Sequence, residues 1–107
     1  MQATKNILAE QAAAFLALTA NGKRLEILTL LMREELSVNT LASLVGLSQS
    51  ALSQHLAKLR SGGLVETRRD RQTIYYSCRD RSVERLLSLL EDLFANRTVS
   101  HRLSTGA

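Results

Sequence analysis

Gln49, Ser50, Ser53 and Gln54 place short amides and hydroxyls at positions that a helix would turn to neighbouring points of its surface. Gln pairs bidentately with the edge of adenine, and Ser serves either base type. At about 100° per residue, Leu52, Leu56 and Leu59 fall within about 60° of arc, and the opposite face, centred on Gln54 and Ser61, takes in Ser50, Ser53, Ala57 and Lys58. That face holds no acid and no large apolar group. A face meant only for solvent usually mixes Glu with Lys, so a small, polar, acid-free one suits close approach to a major-groove floor. Recognition helices read bases from their N-terminal end, which here begins at Ser48 and Gln49 and continues through Ser50, Ser53 and Gln54.

Charge forms the second constellation. The formal net charge is +4, and the segments on either side of 58–85 are each balanced. Between Lys58 and Arg85, Lys58, Arg60, Arg68, Arg69, Arg71, Arg79, Arg81 and Arg85 face only Glu66, Asp70, Asp80 and Glu84. Arg68, Arg69, Arg71 and Gln72 crowd one short polar stretch, where guanidinium groups on a projection reach phosphates or an adjacent minor groove. Lys58 and Arg60 add grip at the end of the polar helix, and Asn39 and Thr40, just upstream, are expected to touch the backbone.

Other chemistries lack their residues. There is no Gly-rich phosphate loop, no Cys-x-x-Cys and no His-Glu-x-x-His, and no activated nucleophile or acid–base pair stands out, so an enzyme is not expected. Cys78 is the single cysteine, which fits a reducing compartment; with His55 or His101 it supplies too few ligands for a four-coordinate metal. Apolar runs such as Ile27 to Met32 fall far short of the ~20 residues of a membrane span, and no apolar block with a cleavage site follows Lys5. The expectation is a cytoplasmic protein with double-stranded DNA as partner, no membrane and neither metal nor cofactor.

The elements that must position these groups are legible in the chain of 107 residues, enough for one domain. Residues 4–19 alternate alanines with Ile7, Leu8, Phe15, Leu16 and Leu18 at helical spacing. Asn21-Gly22 breaks and recaps the chain, and Leu25, Ile27, Leu28, Leu31 and Met32 mark a buried second helix ending near Glu35. After a link at Ser37 to Asn39, Leu41, Ala42, Leu44 and Val45 give a short third helix ended by Gly46, and Ser48 caps a fourth that runs to Gly62-Gly63. Two short helices joined by Gly46-Leu47 must cross steeply, as in a helix-turn-helix. Runs 64–68 and 73–77, rich in β-branched and aromatic residues, form a hairpin around Arg69-Asp70-Arg71-Gln72. Asp80 or Ser82 caps a last helix with Val83, Leu87, Leu90 and Phe94 on one side and Leu86, Leu89 and Leu93 beside them, wider than one core contact requires. The fold class is therefore mainly α with a two-stranded wing, a winged helix-turn-helix of five helices over residues 1–95, with a flexible tail over 96–107.

Three segments, Asn21 to Leu28, Leu47 to Leu56 and Gly63-Leu64-Val65, resemble the ArsR/SmtB family of bacterial winged-helix repressors, and the likeness covers roughly residues 10–95. The stretch Gln72 to Tyr76 resembles a branch of that family that does not sense metals. The resemblance implies a homodimeric repressor joined mainly through its first and last helices and binding an inverted repeat. The second apolar face of the last helix asks for a partner independently, and the interface residues expected are Ile7, Leu8, Phe15, Val83, Leu87, Leu90 and Phe94. Metal-sensing relatives place cysteines in the segment matching Glu35 to Val38, or Asp and His on the last helix; here Ser37 stands at the cysteine position and the last helix lacks histidine. Arg71 occupies a turn position where the family often has glycine. Two rival readings use the same residues: a metal- or thiol-responsive sensor, and a protein-interaction winged helix that does not bind DNA. Nothing in the residue pattern specifies an effector.

Overall fold

The computed structural model describes the backbone of residues 2–106 and the side chains of residues 7–95. Five helices and three short strands follow in the order α1 (Gln2–Thr19), α2 (Gly22–Arg33), β1 (Leu36–Ser37), α3 (Val38–Val45), α4 (Gln49–Ser61), β2 (Glu66–Asp70), β3 (Thr73–Ser77) and α5 (Arg81–Gly106). The expected flexibility of residues 96–107 falls outside the described side chains.

Helix starts obey local capping chemistry. The side chains of Asn21, Ser37 and Ser48 accept the backbone N–H of Arg24, Thr40 and Ala51 respectively, satisfying donors that the first turn leaves without partners. Asp80, rather than Ser82, performs this service for α5, its Oδ1 accepting from Val83 N at 3.0 Å. Each cap stabilises by roughly 1 kcal/mol, whereas burying a Leu contributes about 1.5–3 kcal/mol. Caps therefore set where helices begin and burial sets how they face.

The core is aliphatic. Ile27, Leu28 and Leu31 of α2, Leu41, Ala42 and Val45 of α3, Leu52, Leu56 and Leu59 of α4, and Leu36, Leu64, Val65, Cys78 and Val83 make one buried cluster. Cys78 follows β3, donates its backbone N–H to Leu31 O at 3.1 Å, and packs as a small apolar side chain whose burial pushes its thiol pKa up. Three expectations change here. The link at Ser37 to Asn39 is not a loop: Leu36–Ser37 pairs antiparallel with Tyr75–Tyr76, giving a three-stranded sheet in the order β1-β3-β2, and α3 begins at Val38. A two-residue strand beside an apolar Leu36 lacks a periodic signal; it exists because the hairpin offers an edge. Arg69 and Asp70 belong to β2, paired with Ile74 and Thr73, so the wing loop is only Arg71-Gln72. Arg71 takes φ 59 there, the left-handed conformation that glycine adopts at least cost. Val83, expected at an interface, is 0% exposed, because the first turn of α5 must close the core of its own chain.

The corner between α3 and α4 rests on Gly46, at φ 67, with the N–H groups of Gly46 and Leu47 both donating to Ala42 O. A Cβ at Gly46 meets no other atom, so substitution there tests backbone strain alone. Gly46→Ala should cost about 1–2 kcal/mol, seen in chemical denaturation as a lower midpoint with unchanged slope.

Candidate nucleic-acid interface

Leu52, Leu56 and Leu59 are sealed against the core, so the rest of α4 faces out. Gln49, Ser50, Ser53, Gln54, Ala57, Lys58, Arg60 and Ser61 are all exposed, together with Ser48 before them. The face anticipated from residue spacing is thus assembled as one continuous surface of hydroxyls, amides and two cations. The first turn of α3 lies across the corner, where Asn39 and Thr40 are exposed and Ser37 Oγ accepts from Thr40 N at 3.2 Å. Gln49 Nε2 donates to Asn39 Oδ1, which ties the first residue of α4 to the first turn of α3.

The sheet brings the wing beside this surface. A cleft of about 470 Å³ runs between α4 and the wing root, lined by Ser53, Ala57, Arg60 and Ser61 on the helix and by Val38 and Tyr76 across from them. A smaller one of about 220 Å³ gathers Ser37, Val38, Asn39 and Gln49 with Gln72, Thr73 and Ile74. Both clefts mix polar with apolar side chains.

The wing arginines are not equivalent. Arg68 was expected among the free cations of the tip, but its Nε and Nη2 donate to the Glu35 carboxylate at 3.1 and 2.7 Å, and its guanidinium lies 4.8 Å from the centre of the Tyr75 ring. The Arg68 guanidinium in turn holds the Glu35 carboxyl below its ordinary range. Arg68 is a brace between the wing and the body, its charge largely compensated. Tyr75 is its cross-strand register partner, a neighbour predictable once the loop is known to be two residues long. Glu35 lies 33 residues away, and no local signal pairs them. Arg69, Arg71, Lys58 and Arg60 have no ion-pair partner among the described residues and remain available to phosphates.

Residue spacing also missed what holds α4 from behind. Arg24 Nε donates to His55 Nδ1 at 3.2 Å while its Nη1 donates to Ala17 O and Leu18 O, so one guanidinium joins the end of α1 to α4. It caps carbonyls that the last turn of α1 leaves without partners. Lys23 Nζ donates to Val45 O at 2.6 Å and holds the end of α3 in the same manner. His55 must be neutral at Nδ1 to accept this bond, and burial, followed by Arg24 and Lys58, lowers its pKa from 6.5. Half-buried and bonded to Arg24, it packs against the rest of the chain. Among the described residues, no three of the His, Cys, Asp and Glu side chains gather closely enough to hold a metal ion, and no helix is long and apolar enough to cross a membrane.

A short helix, a tight left-handed turn, an exposed second helix and an adjoining hairpin define a winged helix-turn-helix DNA-binding domain. Residues 21–67 match the family described as bacterial regulatory protein, arsR family. Over 90 residues the chain is 57% identical to the nodulation protein NolR of Rhizobium meliloti, covering 84% of this chain and 74% of that one. It is 48% identical over 84 residues to the transcriptional activator HlyU of Vibrio cholerae, covering 78% of each. Among solved structures, NolR from Sinorhizobium fredii superposes with a TM-score of 0.83 at 56% identity, over 85% of this chain and 91% of that one. A homodimeric winged helix-turn-helix DNA-binding domain from Mycobacterium bovis, a possible ArsR-family regulator, superposes with a TM-score of 0.75 at 37% identity, over 91% and 89%. The chain belongs to the ArsR family of transcriptional regulators, which are not enzymes.

Because the folded chain disfavours protonated His55, His55 should destabilise it only on the acid side. Its contribution to stability is complete above the ordinary pKa of 6.5 and is lost as pH falls through the lower folded value. Denaturation midpoints should therefore be level above about pH 7 and decline below 6.5, and His55→Gln, which can still accept from Arg24, should flatten that decline between pH 6.5 and 5.

Proposed function

We propose that the chain is a homodimeric, sequence-specific transcriptional repressor that binds an inverted-repeat operator through the major groove and acts in the cytoplasm. The observation that carries this reading is the exposed, acid-free face of α4 beside a wing whose Arg69 and Arg71 are unpaired. Ser50, Ser53 and Gln54, with Gln49 at the helix start, face base edges; Lys58, Arg60, Arg69, Arg71, Asn39 and Thr40 face phosphate and sugar. Two copies enter successive major grooves about 34–36 Å apart.

A dimer is supported by the surface and shape of one chain. Ile7, Leu8 and Leu16 on α1 and Leu89, Leu93 and Phe94 on α5 are all about half exposed. The radius of gyration is 16.5 Å, against about 13 Å for a compact chain of this size, because helices project past the core. Phe15 on α1 and Leu87 and Leu90 on α5 are partly buried, and in this reading a second copy covers the apolar residues of both helices. Repression follows by occlusion where the operator overlaps a promoter, and needs no contact surface beyond DNA and partner. Activation is a second reading, favoured by the description of HlyU as an activator. Transcription from an operator-bearing promoter in a purified system distinguishes them: fewer transcripts on adding the protein support repression, and more transcripts overturn it.

Gln54→Ala should lose discrimination between operator and scrambled duplex by about 1–3 kcal/mol, whereas Arg69→Ala should weaken both duplexes alike and lower the salt slope by about one per protomer. Binding isotherms at several salt concentrations check both; equal loss on the two duplexes in the Gln54 variant would remove Gln54 from the readers.

A further inference from the structure

We propose that Asn39 is a positioning residue for sequence readout, fixing the amide of Gln49 in the orientation that meets a base edge. This rests on the reading of α4 as the base-contacting helix. Gln49 is the first residue of α4 and is exposed, so alone its long side chain would sample many rotamers and lose that freedom on binding. Its Nε2 donates to Asn39 Oδ1, from the first turn of α3. No other side-chain bond holds Gln49 among the described residues. The tether uses one of the two amide hydrogens and leaves Oε1 and the second N–H, the acceptor and donor that the adenine edge demands.

Asn39 keeps its own Nδ2 for a phosphate, so one side chain links backbone contact to base contact. The cleft of about 220 Å³ in which they meet also presents Ser37, Gln72 and Thr73, polar and uncharged groups that leave room for a strand. Gln54, by contrast, has no such tether among the described residues. Selectivity should thus be sharper at the base pair read by Gln49, because ordering that side chain is already done in the free protein.

The test uses the full chain and a duplex that it selects from a random-sequence pool, with every single-base-pair variant of that duplex, at one salt concentration. Gln49→Ala should abolish discrimination at one base pair in each half-site. Asn39→Ala should reduce discrimination at that same base pair roughly three- to tenfold and leave the other positions unchanged. Asn39→Asp keeps the acceptor oxygen, so it should retain discrimination while weakening every duplex alike through repulsion by phosphates. The double variant should discriminate no worse than Gln49→Ala, since the two residues act as a unit. The positioning role is overturned if Asn39→Ala discriminates like the unaltered chain, if its effect persists undiminished beside Gln49→Ala, or if Asn39→Asp loses as much selectivity as Asn39→Ala. Should the unaltered chain select no sequence, or Gln49→Ala keep full discrimination, the readout assigned to α4 falls and this role falls with it.

Discussion

Everything this surface can do depends on one constraint: a helix with three leucines on one side cannot turn that side to water. Leu52, Leu56 and Leu59 are at most 1% exposed, and together their burial stabilises the orientation of α4 by several kcal/mol. No capping bond or surface ion pair competes with that. The opposite face is therefore outward by necessity, and its Gln and Ser residues are presented on a rigid element rather than on a loop. The left-handed turn at Gly46 sets the angle between α3 and α4, and Lys23 and Arg24 hold both helices from behind.

Charge in this domain is sorted by what lies within reach. Equal guanidinium groups at 68, 69 and 71 acquire different roles because only the first faces Glu35 across the sheet and Tyr75 beneath it. An arginine whose partner is already a carboxylate has less to offer a phosphate, whereas one standing over solvent releases counterions when it meets one. Arg24 shows the half-buried version of the same rule. Its donors go to two carbonyls of α1 and to a neutral imidazole, and its charge adds to the larger effect of burial in making His55 resist protonation. The end of the first helix and α4 thus share one side chain, and Leu18 of α1 sits where any methyl group at Gly62 would overlap it.

Residue pattern alone determined a good deal. Periodicity separated the buried and presented faces of α4, Asn21 and Ser48 announced helix starts, and Gly46 announced a stop, because amphipathic burial and capping are local properties with periods or fixed offsets. The identity of the polar face, the net charge of the segment that follows it, and the excess of apolar residues on the last helix were equally plain from composition by position. Tertiary structure decided what depends on partners far apart in the chain. The strand at Leu36–Ser37 exists only because Tyr75 and Tyr76 present an edge. Arg68 became a brace only because Glu35, 33 residues away, came within 2.7 Å, and Val83 became core rather than interface because α5 closes over α2. Hydrogen bonds, ion pairs and burial are set by distance in space, and a chain read in one dimension carries no measure of that distance until the core has drawn its elements together.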